Sequence, residues 1–441
     1  MNGPAVSRVV FVNRYFYPDL SATSQILTDL AFRLAAEGDE VIVLTGRQTY
    51  TDPKASLAPR ERVSGVEVVR VRTTGFGRNR LLGRAIDYAS FYVAALVKLL
   101  LVLRKGDVLV AKTDPPLMSV VAAFAAWLRG AKQVNWLQDL FPEVAVVLRP
   151  DLVNGSLARA AKAARDWSLR RARANVVLGT RMWDRVRLLG IPRAAIAMIP
   201  NWTDDRTILP VAHADNPLRR EWGLDGKFVV SYSGNLGRAH EFRTILDAAY
   251  LLRDREDIVF LMIGGGAQLD HVREFVQDYG LTNVVERPYQ PRERLPLSLG
   301  AGDLHLVSLV PGLEGCIVPS KFYGIAAAQR PTAFIGDHLL GEIGRLLHRF
   351  DCGRSFAVGD AAGLAGFIAE LAQDRDRWER MGRNARRALD AEWSQEKAFE
   401  RWRAVLTACA TGARLQTEVG ETAGVAYNPQ LVADHEHRVE A

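Results

Sequence analysis

Residues 228–266 read FVVSYSGNLGRAHEFRTILDAAYLLRDREDIVFLMIGGG, and this stretch decides the fold. Phe228 to Ser233 is a short apolar run suited to a strand buried on both faces. It runs into the glycine-containing loop Gly234-Asn235-Leu236-Gly237-Arg238-Ala239-His240, and a helix-period segment follows over Glu241 to Arg253. Ile258 to Ile263 is the next strand, so the unit is βαβ with parallel strands. Glycines at a strand end let backbone amides approach a phosphate, and a helix N-terminus adds partial positive charge. An ordinary βα turn would need the same two glycines, so spacing alone leaves both readings open.

The alternation continues in both directions. Upstream strands are expected at Val9 to Asn13, Val41 to Thr45, Val66 to Val71, Val108 to Ala111, Gln133 to Leu137 and Asn175 to Leu178. Downstream they are expected at Val284 to Arg287, Leu304 to Ser308 and Thr332 to Ile335. Periodicity fails between Ile199 and Leu218, which places a junction near residue 206. The fold class is therefore α/β, with two doubly wound Rossmann-like lobes facing a central cleft where the ligand sits. Residues 1–205 form the first lobe and 206–392 the second. A helix over 393–410 returns to the first lobe, and 411–441 reads as a disordered tail.

Composition sets the class. With 441 residues, 48% hydrophobic and 24% charged, the chain fits neither disorder, collagen nor a coiled-coil rod. Its three cysteines, Cys316, Cys352 and Cys409, are far apart and lack metal-ligand spacing, so no metal site and no disulfide framework is expected. The net charge of +7 is modest, but basic residues cluster at Arg78, Arg80, Arg84, Lys98, Arg104 and Lys105, and again between Arg159 and Arg173. No signal peptide is read before the first strand, so a cytoplasmic location is expected. Tyr88 to Leu103, YASFYVAALVKLLLVL, is short for a bilayer-crossing helix. It reads as a core helix, as one lying at a membrane interface between basic flanks, or as both, facing the core on one side and lipid on the other.

Two further segments carry chemistry. Val318-Pro319-Ser320-Lys321-Phe322-Tyr323-Gly324 reads as a helix start, with Pro319 in the first turn and Ser320 and Lys321 offering a hydroxyl and an ammonium to one anion. A capped helix with a solvated lysine is the plainer alternative. Trp136-Leu137-Gln138-Asp139-Leu140-Phe141-Pro142-Glu143 puts two carboxylates after a strand. Asp139 could accept a proton from an attacking hydroxyl or could cap a turn, while Glu143 could simply begin a helix.

Together these segments resemble glycosyltransferase family 4, of GT-B fold, and within it the bacterial enzymes of cell-surface polysaccharide biosynthesis. The resemblance covers residues 8 to 408. It rests on FVNRYFYPDLSATSQILTDLAFRLAAEGDEVIVLTG, VNWLQDLFPEVA, MIPNWTDD, YSGNLGRAHEFRTILDAA, FLMIGGGAQ and LEGCIVPSKFYGIAAAQRP, in that order. It implies retaining transfer of a hexosyl or N-acetylhexosaminyl unit from a UDP- or GDP-sugar to a polyprenyl-diphosphate-linked saccharide. No metal, no cofactor and no nucleic acid is implied, and the location is peripheral, at the inner face of the cytoplasmic membrane.

The implied site has Asp139, Arg238 and Lys321 as catalytic residues. Gly234, Asn235, Gly237, His240, Tyr289, Glu314, Gly315 and Ser320 hold the donor, and Tyr17, Ser21 and Thr23 hold the acceptor. The sequence departs from the family pattern in three places. Asn235 and His240 stand where the family has Arg and Lys, with Arg238 between them. Cys316 and Gly324 stand at the two glutamate positions, with Glu314 close by and expected at the mouth of the cleft. Ser320-Lys321 enters as a new pair. A nucleotide-sugar epimerase of the same fold, or a catalytically degenerate sugar-nucleotide-binding subunit, fits the same segments.

Overall fold

The computed structural model describes residues 8–415 apart from 51, 53, 77–80 and 150–154. Of the tail expected over 411–441, Thr411 still belongs to a helix and Leu415 is buried in the core of the first lobe; residues 416–441 and the basic residues Arg78 and Arg80 lie outside the described residues.

The first sheet comprises β1 (Arg8–Val12), β2 (Glu40–Gly46), β3 (Arg60–Val63), β4 (Val66–Val71), β5 (Val108–Ala111), β6 (Lys132–Trp136), β7 (Ala174–Val177) and β8 (Ile196–Met198). Its spatial order is β3-β4-β2-β1-β5-β6-β7-β8, parallel throughout except for the β3–β4 pair. The interior strands β1, β5 and β7 are buried at every residue, because helices cover both faces of the sheet. Those helices are α1 (Ala22–Ala36), α2 (Leu81–Val102), α3 (Met118–Arg129), α4 (Glu143–Leu148), α5 (Gly155–Arg171) and α6 (Thr180–Leu188).

The second sheet contains β9 (Phe228–Asn235), β10 (Ile258–Gly265), β11 (Val284–Arg287), β12 (Leu304–Ser308), β13 (Thr332–Ile335) and β14 (Gly353–Phe356). All its pairs are parallel, in the order β11-β10-β9-β12-β13-β14. Counted from its first strand this is the 3-2-1-4-5-6 order of a dinucleotide-binding sheet, in which the chain reverses direction between β9 and β12. The crevice of such a sheet opens at the carboxyl ends of those two strands. In the first sheet the equivalent reversal lies between β1 and β5.

The helix Gln395–Thr411 packs on the first sheet although it follows the second. Its Trp402 is fully buried, with its ring centroid 4.4 Å from that of Trp136 on β6. Arg403 pairs with Glu37 and Asp39 beside the end of α1. Burying one large apolar side chain contributes roughly 1.5–3 kcal/mol, and Phe399, Trp402 and Leu406 of this helix all do so against the first lobe.

Candidate active site

The site is built first from backbone at the reversal in the second sheet. β9 runs on through Gly234 and Asn235, so these residues belong to the strand end rather than to the loop expected from sequence. Gly264 pairs with Gly234 and has φ +137°, where a Cβ would fall 2.1 Å from the Gly234 carbonyl oxygen. Only glycine fits there. The two loops interlock further: Leu236 N–H donates to Gly265 (2.9 Å) and Gln268 N–H to Leu236 (3.0 Å). A Cβ on Gly237 would meet the Asn235 amide nitrogen at 2.8 Å.

Lys321 reaches into this knot. Its Nζ lies 3.7 Å from the centroid of the Tyr232 ring and donates to the Tyr232 hydroxyl, which in turn donates to the Asn235 carbonyl at 2.9 Å. A Cβ on Gly234 would stand 3.8 Å from the same ammonium. Burial holds the lysine pKa well below its usual value, and among the described residues no carboxylate pairs with it. An amine so desolvated holds its proton more firmly once an anion comes beside it.

His240 sits beside it. Its Nδ1–H donates to the Ser308 carbonyl at 2.6 Å, leaving Nε2 unprotonated. Burial, then the Lys321 charge, push the imidazole pKa down to about 3, against the Ser308 bond. His240 is therefore neutral where a cation was the family expectation. Tyr289 is 57% exposed, donates to Gly265 at 2.9 Å and lays its ring edge along Gly264 and Gly265, leaving a free aromatic face at the crevice rim.

Several expectations are corrected here. The helix after the glycine loop begins at Arg243, not Glu241, and the Glu241 carboxylate accepts the Thr244 N–H at 3.1 Å. That helix end is thus occupied by its own chain rather than open to a phosphate. The helix at Lys321–Ala327 has only seven residues, with Pro319 and Ser320 ahead of it rather than inside its first turn. Charge at this site therefore comes mainly from the Lys321 side chain.

Arg238 is exposed and makes no side-chain hydrogen bond or ion pair among the described residues, so it is not gathered with Lys321. Water screens a cation in such a position. Arg238→Ala should cost roughly tenfold in donor KM with little change in kcat, and steady-state kinetics at varied donor concentration would show the split.

Glu314 departs furthest from its expected place. It is not at the mouth of the cleft: it is 7% exposed, and its side chain turns toward Asp337 and the 341–342 turn. Oε2 takes only a long contact, 3.4 Å, from Glu342 N–H, and Oε1 is buried without a hydrogen-bond partner. Burial, then the neighbouring Asp337, raise the carboxyl pKa to about 8, so it is protonated at neutral pH. Gly315 is likewise packed against the first lobe, where a Cβ would lie 2.9 Å from Arg185 Nε, and Arg185 Nε donates to the Glu314 carbonyl at 2.8 Å.

The Glu314 pKa is raised above its unfolded value of 4.5, so the folded state holds the proton more tightly. Stability should fall as pH rises between 4.5 and about 8, by up to ~1.4 kcal/mol per unit. Glu314→Gln should abolish that fall. Denaturant titrations of both proteins at pH 6 and pH 8 measure the difference.

The first lobe meets this crevice directly. Asp139 bridges Ile317 in antiparallel fashion, and Leu140 N–H donates to the Cys316 carbonyl at 2.9 Å. Asp139 is thereby fixed four residues' reach from Lys321, just beyond the end of β6. Burial, then the charge of Asp114, raise its pKa to about 6, with Lys112 opposing them. Lys112 follows β5, is 1% exposed, donates from Nζ to the Thr23 carbonyl at 2.8 Å and lies 3.8 Å above the Trp136 ring. Burial lowers its pKa to about 7, with Asp114 and Asp139 opposing that shift.

Sequence reasoning missed Lys112 and Asp114, although the run Ala111-Lys112-Thr113-Asp114 ends a strand at the reversal point. Of the expected acceptor residues, Thr23 joins this cluster through its carbonyl. The Ser21 hydroxyl is bound to Asp19, and the Tyr17 side chain is 43% exposed beside Phe32. Glu143 is structural: it starts α4 and takes two 2.9 Å bonds from the buried Arg165.

Comparison with known proteins gives this arrangement a family. Residues 22–202 match the model of the glycosyl transferase 4-like domain. The glycosyltransferase WbjE of Pseudomonas aeruginosa is 30% identical over 305 residues, which are 67% of this chain and 74% of WbjE. The chain belongs to glycosyltransferase family 4. Another relative of this family 4 transferase is the colanic acid biosynthesis glycosyl transferase WcaI of Escherichia coli K12, 27% identical over 347 residues, 76% of this chain and 84% of WcaI.

Among solved structures, HepE of Anabaena, in complex with UDP and glucose, superposes with a TM-score of 0.68 at 15% identity over 91% of this chain and 100% of HepE. That likeness gives the fold, which is GT-B. The family 4 transferase is thus a glycosyltransferase of polysaccharide biosynthesis.

Proposed function

We propose that the protein transfers a hexosyl or N-acetylhexosaminyl unit, with retention of configuration, from a UDP- or GDP-sugar to a polyprenyl-diphosphate-linked saccharide at the inner face of the cytoplasmic membrane. The observation that carries this reading is Lys321, a desolvated cation without a carboxylate partner, held at the carboxyl end of β9 between Gly234 and Tyr232. The diphosphate of the donor supplies the missing anion, and Asn235, Gly237 and Ser320 surround it. Tyr289 offers its exposed face to the base. HepE carrying UDP and glucose in the same fold supports a nucleotide-sugar donor.

Departure of the nucleoside diphosphate builds negative charge on the β-phosphate. A preorganised ammonium in a dry site stabilises that charge more in the transition state than in the ground state. Lys321 supplies this charge without a metal. His240, neutral with Nε2 unprotonated, can accept a hydrogen bond from a donor hydroxyl but does not add charge.

Among the described residues no carboxylate stands beside Lys321 to form a covalent sugar adduct. The acceptor hydroxyl then approaches from the face the diphosphate leaves, and a phosphate oxygen takes its proton. Asp139, with Lys112 behind it, orients that hydroxyl from the first lobe, and Arg238 adds a screened charge at the rim.

Incubation with UDP- and GDP-sugars, with and without polyprenyl-diphosphate saccharide, tests the reading. Acceptor-dependent release of the nucleotide with an α- or β-linkage matching the donor is expected. Epimerised donor, an inverted linkage, or binding without release would overturn it.

A further inference from the structure

Surface helices of globular proteins turn a polar face to water. Helix α2 does not. Phe91, Ala95 and Leu99 are fully buried on the first sheet, yet the opposite stripe is also apolar: Leu82 (80% exposed), Ile86, Val93 (66%), Val97 and Leu101 (72%). Only 22% of its most apolar window is buried, so one face of the helix belongs to the core while the other, as the sequence allows, is open to lipid. It cannot cross a bilayer while its inner stripe stays on the sheet.

Helix α3 packs beside α2 and extends the exposed surface with Phe124, Trp127 (58% exposed) and Leu128. Helix α5 packs beside α3 and adds Trp167.

The charges around this face have one sign. Arg104, Lys105 and Arg129 are exposed at the carboxyl ends of α2 and α3, and Arg171 lies 5.8 Å from the Trp127 ring and 5.6 Å from the Trp167 ring. The three helices contain two acids, Asp87 and Asp166. Asp87 is buried near Arg14, and Asp166 is paired with Arg165. An apolar stripe with tryptophans and a basic rim complements an anionic lipid surface, with the rings at headgroup depth and the arginines on phosphate.

We infer that the α2–α3–α5 face is a monotopic membrane-docking surface that lies in the plane of an anionic bilayer. Helix α2 begins at the carboxyl edge of the sheet, the edge that also carries Asp139. Docking therefore brings the lipid surface to the side of the cleft from which a membrane-anchored acceptor would enter.

The inference extends the acceptor reading, but its assay contains neither donor nor acceptor, so either can fail without the other. The full-length protein is floated with phosphatidylcholine vesicles with and without phosphatidylglycerol. Flotation with the anionic vesicles is expected, weakened by high salt. Val93→Glu combined with Val97→Glu should reduce the bound fraction at least about tenfold, and Trp127→Ala should reduce it by a smaller factor.

Leu251→Glu, an exposed site on the second lobe, should float like the parent. Circular dichroism and the thermal unfolding midpoint should be unchanged in every variant, which separates lost docking from lost folding. Three outcomes would overturn the inference: a parent protein that stays at the bottom of the gradient, a double-glutamate variant that floats normally, or a Val97→Cys protein that cross-links to a second copy in solution through this face.

Discussion

Lys321→Ala is expected to lower kcat by about 10² to 10³ while leaving the empty protein at least as stable as the parent. The two effects share one cause. In the free protein the Lys321 amine is desolvated, touches Tyr232 by hydroxyl and ring, and has no carboxylate partner among the described residues. Its pKa lies below the unfolded value, so the folded state binds the proton less tightly. Stability is therefore reduced at neutral pH and recovers as pH rises toward the ordinary lysine range.

Removing the side chain removes that penalty, so the alanine variant should gain stability near pH 7 and lose the advantage near pH 10. Donor binding inverts the balance, because the diphosphate repairs the missing charge. The thermal shift given by UDP or GDP at about 100 times the dissociation constant, roughly 2.7 kcal/mol for the parent, should shrink in the variant. Parent-like turnover in Lys321→Ala would take the diphosphate away from this lysine. A variant that is simply unfolded would fail the stability arm first.

The difference between legible and illegible parts of this molecule follows from range. β4, β5, β12 and β13 occupy the residues their apolar runs mark, because a strand buried on both faces writes its environment into every side chain; β11, partly exposed at a sheet edge, also lies at its expected residues. β3, β8 and β14 were not foreseen. Arg60–Val63 and Gly353–Phe356 lie at sheet edges and are partly exposed, and Ile196–Met198 is three residues long at the other edge of the first sheet, so none carries a full apolar run. Helix α2 begins seven residues before the expected Tyr88, because Asp87, which reads as a polar interruption, is buried against Arg14 and Thr74.

At the site, the glycines at the strand ends were readable because the close approach of Gly234 and Gly264 admits no side chain. Glu314 was misplaced because its burial depends on the 337–342 segment and on helix α6 of the other lobe. Lys112 was missed for the same reason: its burial depends on Thr23 and Trp136, both remote in sequence.

Asp139→Asn should lower kcat/KM by about 10 to 10², the loss of one charge-assisted hydrogen bond to the acceptor hydroxyl, and flatten the acid side of the pH profile. The parent carboxyl, raised to about 6 by burial and by Asp114, is mostly protonated at pH 5 and mostly ionised at pH 7. If its ionised form orients the acceptor hydroxyl, parent kcat/KM falls about tenfold per pH unit below 6, whereas the amide has no proton to gain.

Stability moves the other way. The folded pKa lies above the unfolded value of 3.8, so ionisation destabilises the parent as pH rises through this window, and asparagine escapes that cost. Lys112 then loses one of its two stabilising carboxylates, and its own pKa should drop below about 7. An asparagine variant that is folded and slow, with a flat acid limb, assigns the limb to Asp139. The same limb persisting in the variant would move it to another group, and an unchanged rate would remove Asp139 from the acceptor side of the cleft.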